Sequence, residues 1–317
     1  MSSALVVNST NAIQNSNGTY SVFQYKFPSN TSMDNMQLLP SIISFPFSNF
    51  NFRSDTYQNT TYQIIWIDGT VATISMPSGY YAASDLNNFL QEYMISKTWY
   101  TINNATGPAS GVTFNYYLQI QENQTYYAIQ LNSVPVPTAA QAAAAGITQP
   151  AGATWNYPLT PTNPQFTILA PPSPPNQYNT SFSNSIGFNA QTWPASQTSP
   201  GIGQSILSNF TPQINPVSTI VVLCSLINNR FASQNNVLYA FNTGDTQFGA
   251  YFTINVPQEI WLNCSRGMFA DFTLTFVDQT LRNLVPLQDP TVLTVLSLRD
   301  TPTDLRALAL KRETRTN

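Results

Sequence analysis

The groups in this chain that could do acid–base chemistry are carboxylates, because the sequence contains no histidine. Ser-His-Asp and Cys-His relays are therefore unavailable, as is any zinc site that needs imidazole. Two carboxylates can still share general acid and base work, as in glycoside cleavage, where they face the scissile bond from about 5–10 Å apart. The candidates are Asp68, Asp85, Glu92, Glu122, Asp245, Glu259, Asp271, Asp278 and Asp289. Asp278 in FVDQT and Asp289 in LQDPTV flank one short connection. The local alternative needs no substrate: an Asp in a turn accepts hydrogen bonds from backbone close to it in sequence. Asp68 and Asp245 fall in turns and Asp85 at a helix start, where that alternative suffices. The acids are too sparse for a calcium loop. No GxxxxGK[ST] or GxGxxG loop occurs, and PGIGQSIL at 200–207 has neither a lysine nor a clean strand before it. No catalytic, cofactor-binding or metal-binding residue is assigned, and the chain is expected not to be an enzyme.

The elements that would position these groups are mostly strands. TYQIIWIDG and VATISMP form two strands across Asp68-Gly69, a dipeptide suited to a tight hairpin. In the stretch that follows, Ser84 is the expected N-cap of one helix, with Asp85 in its first turn. Leu86, Phe89, Leu90, Tyr93 and Met94 recur at helical spacing and give that helix an apolar face. VTFNYYLQIQ and TYYAIQLNSVPV make a second hairpin, with Glu122-Asn123 at its turn. YSVFQYKF reads as an edge strand, and Pro40 and Pro46 restrict LPSIISFPF to an edge or a short strand. TAAQAAAAGI could be a short helix inside a Pro-, Asn- and Ser-rich passage without clear period. PVSTIVVLCSLINN, NVLYAFNTG, AYFTINVPQEIWLNC, MFADFTLTFVDQT and TVLTVLSLRD are strands separated by turn residues. Strands dominate and their spacing is irregular, which argues for an antiparallel sandwich. The tail TPTDLRALALKRETRTN carries a basic cluster, and Leu305, Leu308 and Leu310 could form a short docking segment.

Composition narrows the function classes. Only 8% of the 317 residues are charged, the net charge is -3, and Glu122 is the one charged residue between Thr98 and Asn229. Burying Asn, Ser or Thr against a neighbour costs less desolvation than burying Lys or Glu, so such a surface suits life in an assembly. A glycosylated secreted domain is the alternative, and Asn8, Asn17, Asn30, Asn59, Asn104, Asn123, Asn179 and Asn263 each begin an N-x-S/T match. MSSALVVNSTN lacks the basic and apolar regions of a secretory signal, and no window has the apolar length of a membrane span. Intracellular production without glycosylation is expected. Two cysteines, Cys224 and Cys264, are too few for a disulfide framework, although one bridge is open; Cys224 in TIVVLCSLI reads as a buried thiol. The 40 aromatic residues (19 Phe, 16 Tyr, 5 Trp) have no interleaved basic residues, so they do not make a nucleic-acid platform. They could line a sugar groove, or fill a wide core and subunit interfaces.

Two regions together resemble a family. FTPQINPVSTIVVLCSLINN, the strand closing in FVDQT, and LVPLQDPTVLTVLSLRD are similar to the C-terminal part of the penton, or vertex, capsid proteins of double-stranded DNA viruses of the double-jelly-roll lineage. Virophages and large eukaryotic viruses carry such proteins. MPSGYY followed by SDLNNFLQEYM resembles that family's strand–turn–helix passage. The resemblance spans roughly residues 64–131 and 210–300. It implies an all-β fold: one antiparallel single jelly-roll sandwich over 38–300, with one short helix in a connection and a long insertion at about 135–209. Residues 1–37 would be an N-terminal arm and 301–317 a C-terminal tail. It further implies a structural virion protein, made in the infected host cell, that forms the homopentameric vertex capsomer of an icosahedral capsid among major capsid protein capsomers and minor capsid proteins. No cofactor or site residue comes with it. The tail would run under the shell, where a weak contact with packaged nucleic acid is conceivable and a solvated terminus is the plainer outcome. A minor or cement capsid protein, or a carbohydrate- or receptor-binding sandwich, are the alternatives.

Overall fold

Residues 2–103, 113–173, 176, 180–198, 201–229, 232, 234–244, 246–256 and 260–301 are described by a computed structural model. They form two compact units, one of Met1–Asn49 with Val217–Asn317 and one of Phe50–Pro216. The first unit begins with β1 (Ser2–Val7), β2 (Ala12–Gln14), β3 (Tyr20–Ser32) and β4 (Met36–Pro46). The chain then builds the second unit. There lie β5 (Thr61–Ile65), β6 (Val71–Ser75), helix α1 (Ala83–Ser96), β7 (Thr101–Asn103), β8 (Thr113–Asn115), β9 (Leu118–Asn123) and β10 (Ala128–Ser133). Helix α2 (Ala139–Ala144), β11 (Ile147–Thr148), β12 (Gln165–Ile168), α3 (Phe182–Ile186), β13 (Gln191–Trp193) and β14 (Gln204–Leu207) complete it. The first unit resumes with β15 (Thr219–Cys224), β16 (Val237–Asn242), β17 (Tyr251–Asn255), β18 (Leu262–Asn263), β19 (Met268–Val277) and β20 (Leu293–Asp300).

The first unit is a sandwich of two antiparallel sheets. One has the order β1-β20-β4-β17, with β18 also paired to β4, and the other β16-β15-β19-β3-β2. This pairing is consistent with a jelly-roll-type fold in general. Alternation along β19 and β20 turns Phe272, Leu274, Phe276, Leu296 and Leu298 inward to one core. Phe45 of one sheet meets Phe276 of the other at 5.8 Å between ring centres.

The second unit is also β-rich, with sheets ordered β13-β12-β5-β6, β14-β10-β9 and β11-β7-β8. Its core is aromatic. Trp66 stacks on Trp99 at 5.2 Å, and Trp155 meets Trp66 edge-on at 5.4 Å. Helix α1 buries Leu86, Leu90 and Met94, while Phe89 and Tyr93 are half-buried at the border of its apolar face. Asn87 on its flank accepts the Ile120 N–H at 2.9 Å, tying the helix to β9.

Several expectations need correction. The helix begins after Ala82, not Ser84, and Asp85 supplies the cap by accepting the Ala82 N–H at 2.8 Å. The turn of the second hairpin is Gln124–Tyr127, because β9 and β10 stay paired through Asn123 and Ala128. β3 lies between β19 and β2, and eleven-residue β4 between β20 and β17, so neither is an edge. Pro40 is tolerated because the register slips there: Val295 pairs with Ile42 and Leu296 with Pro40, leaving Ser41 as a bulge. Residues 1–37 are no arm, since β1 pairs with β20 and β3 with β19. The passage 135–209 is no separate insertion either. Its β12 pairs with β5 and its β14 with β10, so the segment set into the first unit runs from Phe50 to Pro216. Beside α1 stand two shorter helices, α2 and α3. Residues 302–317 of the tail, with Leu305, Leu308 and Leu310, lie outside the described residues.

Candidate interaction surfaces

The carboxylates are committed locally wherever their bonds are defined. Asp278, 4% exposed, accepts the Thr280 N–H at 3.0 Å, the Thr280 hydroxyl at 2.6 Å and the Asn283 amide at 2.8 Å. Asp289 accepts both the N–H and the hydroxyl of Thr291. Asp68 accepts the Thr70 N–H at 2.8 Å inside its hairpin turn, and Asp271 the Gln24 amide at 3.0 Å across β19 and β3. These are the bonds expected of turn and cross-strand residues. Glu92 and Glu122 are exposed, and Asp245 and Glu259 lie outside the described residues. Among the described residues, no three His, Cys, Asp or Glu side chains gather as metal ligands. Gln204 to Leu207 of PGIGQSIL form β14 along β10, so that stretch does not lead into a helix as a phosphate loop would.

Cys224 and Cys264 are both free and buried in the first core. Burial pushes the Cys224 thiol up to about 12 and the Cys264 thiol to about 11, so neither is a ready nucleophile. Of the glycosylation matches, Asn59 is fully buried, and its side chain is spent on three internal hydrogen bonds. Two concavities open in the first unit. One of about 490 Å³ is lined by Asn35, Asn228, Asn263 and Arg266; the other, of about 250 Å³, by Leu39, Val237, Tyr239, Ile260 and Leu262. Among the described residues, neither lining includes a carboxylate. No described helix is long and apolar enough to cross a membrane.

The chemistry of the first unit lies on the outward face of the β1-β20-β4-β17 sheet. Register sets Val6, Val295, Ile42 and Asn255 in one row across the four strands. All four point away from the core formed by Val7, Leu296 and Ile43. Val6 is 44% exposed, Leu293 41% and Tyr251 64%. Between them the polar groups satisfy each other, with the Ser41 hydroxyl 2.7 Å from that of Ser297 and the Ser44 hydroxyl 2.8 Å from that of Thr253. The cation of this face, Arg299, is occupied: its guanidinium lies 3.9 Å over the Trp261 ring, and its Nε donates to Gln37 at 3.0 Å. Edge strands are commonly protected from pairing with other chains by Lys or other charges. β1 and β17, the edges of this sheet, carry none. The sequence does hold this signal, since Leu293 and Val295 make β20 apolar on its solvent side as well as its core side.

No protein-family model matches the chain, and no curated protein matches it. Among solved structures, the crystal structure of the selenomethionine-labelled mavirus penton protein is similar, with a TM-score of 0.40 and 12% identity, over 94% of this chain and 98% of that one.

Proposed function

We propose that the chain is a structural virion protein, a homopentameric vertex capsomer of an icosahedral capsid seated among major capsid protein capsomers. The first unit would then be a single eight-stranded jelly roll. Its sheets would be β1-β20-β4-β17 and β3-β19-β15-β16, with the Phe50–Pro216 unit inserted between its third and fourth strands, β4 and β15. Jelly rolls are common in capsids but serve other proteins too, so the fold alone does not carry the function. The observation that carries it is the outward sheet face, where Val6, Val295, Ile42 and Leu293 sit among paired hydroxyls with one stacked cation. Covering that face costs little desolvation and gains apolar burial at roughly 25 cal/mol per Å². A ring of five needs a contact between two different patches that closes on itself. This face supplies one of the two.

The test is the location of the chain in an intact particle, determined by electron cryomicroscopy, together with incorporation of Val295→Lys and Ile42→Lys. Five copies around a fivefold axis are expected. Both variants should fold with stability within about 0.5 kcal/mol of the parent, as surface changes do, and fail to enter the particle. Copies between capsomers would instead make it a cement protein. Full incorporation of both variants would remove the role given to the sheet face.

A further inference from the structure

The second unit carries a lone carboxylate where its own strand pattern calls for an apolar residue. Along β9 the side chains of Leu118 and Ile120 are buried and those of Gln119 and Gln121 face out. Glu122 continues the buried series, directly opposite Ile129 of β10, at the point where the strand leaves the core. It lines a pocket of about 350 Å³ with Ile129, Pro212, Ile214, Thr211 and Tyr127. That volume lies in the range of small-ligand sites. Tyr127 is 83% exposed and is held at φ 48, a left-handed conformation unfavourable for a side chain of its size. Its neighbour Tyr126 is 68% exposed, so the hairpin tip offers two aromatic rings to solvent. The sequence places no cation near enough in the chain to neutralise Glu122, since no other residue between Thr98 and Asn229 is charged. The two basic residues of this unit are engaged elsewhere, Arg53 with Asp55 and Lys97 over the Tyr93 ring.

We propose that this pocket binds a lysine or arginine side chain of a partner protein. The aliphatic stem lies on Ile129, Pro212 and Ile214, the cationic head meets the Glu122 carboxylate, and the Tyr127 ring closes over it. Each part of the ligand has its counterpart: an apolar floor for the methylenes, a single negative charge for the head, and an aromatic face that attracts cations. Neutral sugars also stack on tyrosine, but they give no reason for a carboxylate at the end of an apolar row. The site is independent of the sheet face in the first unit, and either can fail without the other.

The test is ligand-observed saturation-transfer NMR on the full chain with three probes: Nα-acetyl-arginine amide, its neutral counterpart Nα-acetyl-norleucine amide, and methyl glucoside. The arginine probe should bind with millimolar affinity and receive saturation on its methylenes. Glu122→Gln should weaken it about tenfold and Tyr127→Asn, which tolerates the left-handed turn, about threefold. Both positions are exposed, and unchanged tryptophan fluorescence verifies that the variants fold. Equal binding of the norleucine probe, unchanged affinity in Glu122→Gln, no binding of the arginine probe, or preferential binding of the glucoside would each overturn the proposal.

Discussion

Replacing Asn59 tests the second unit at its most connected polar point. The side chain is fully buried. Its Oδ1 accepts the Arg53 N–H at 2.9 Å, and its Nδ2 donates to the Asn51 carbonyl and the Ser185 hydroxyl, each at 2.9 Å. One residue thereby joins the loop before β5 to helix α3. Asn59→Ala strands three partners, and an unsatisfied buried group costs about 1–3 kcal/mol. Taking the low end for each, the loss is about 3 kcal/mol. Urea unfolding followed by tryptophan fluorescence reads this unit selectively, since Trp66, Trp99, Trp155 and Trp193 lie in it and Trp261 does not. With a slope of about 1–3 kcal/mol per M, the midpoint should fall by about 1–3 M. Asn59→Asp separates the bonds. An ionised Asp still accepts from Arg53 but sets its second oxygen against the Asn51 carbonyl, to which only the protonated acid can donate. The folded pKa therefore rises above the unfolded value of about 3.9, and the native state binds the proton more tightly. Relative to the parent, this variant should be least impaired below about pH 4 and lose stability as pH rises through the raised pKa. A midpoint shift below about 0.3 M for Asn59→Ala, or a penalty for Asn59→Asp that does not grow with pH, would refute the assigned bonding.

Other expectations are more local. Phe89→Asp puts a charge at the half-buried border of helix α1, beside Tyr81 at 6.5 Å, and should speed amide hydrogen exchange throughout that helix. Exchange as slow as in the parent would mean that this side of the helix bears no load. Cys224 and Cys264 should resist iodoacetamide at pH 8 until urea is added, and early alkylation of the native protein would contradict their burial. Because both folded thiol pKa values stand above the unfolded value of about 8.5, their contribution to stability is intact below that pH and lost as pH rises beyond it. Thermal unfolding between pH 8 and 10 should therefore fall less steeply in Cys224→Ala, and parallel slopes would show that the thiol titrates alike in both states.

What the sequence determined by itself was local. The hairpin across Asp68-Gly69, the apolar face of α1 and the strands from Thr219 to Asp300 follow from turn residues and from periods of 2 and 3.6, which act within a few residues. The absence of histidine and the turn contexts of Asp68, Asp85, Asp278 and Asp289 likewise made a carboxylate machine the poorer expectation. Strand neighbours are a different matter. The chain joins β1 to β20 and β12 to β5 by pairing between residues far apart in sequence, and no local pattern names those partners. That is why Ser2–Val7 resembled an arm and 135–209 an insertion. Pro40 looked like the mark of an edge because its safe place, beside the Ser41 bulge, exists only once β20 is alongside. The outward row of Val6, Val295 and Ile42 is likewise a product of register across three strands, and the Glu122 pocket exists only where β9 and β10 meet the Thr211–Asn215 segment. Composition set how little charge the surface could carry; long-range pairing decided where the uncharged residues would face outward together.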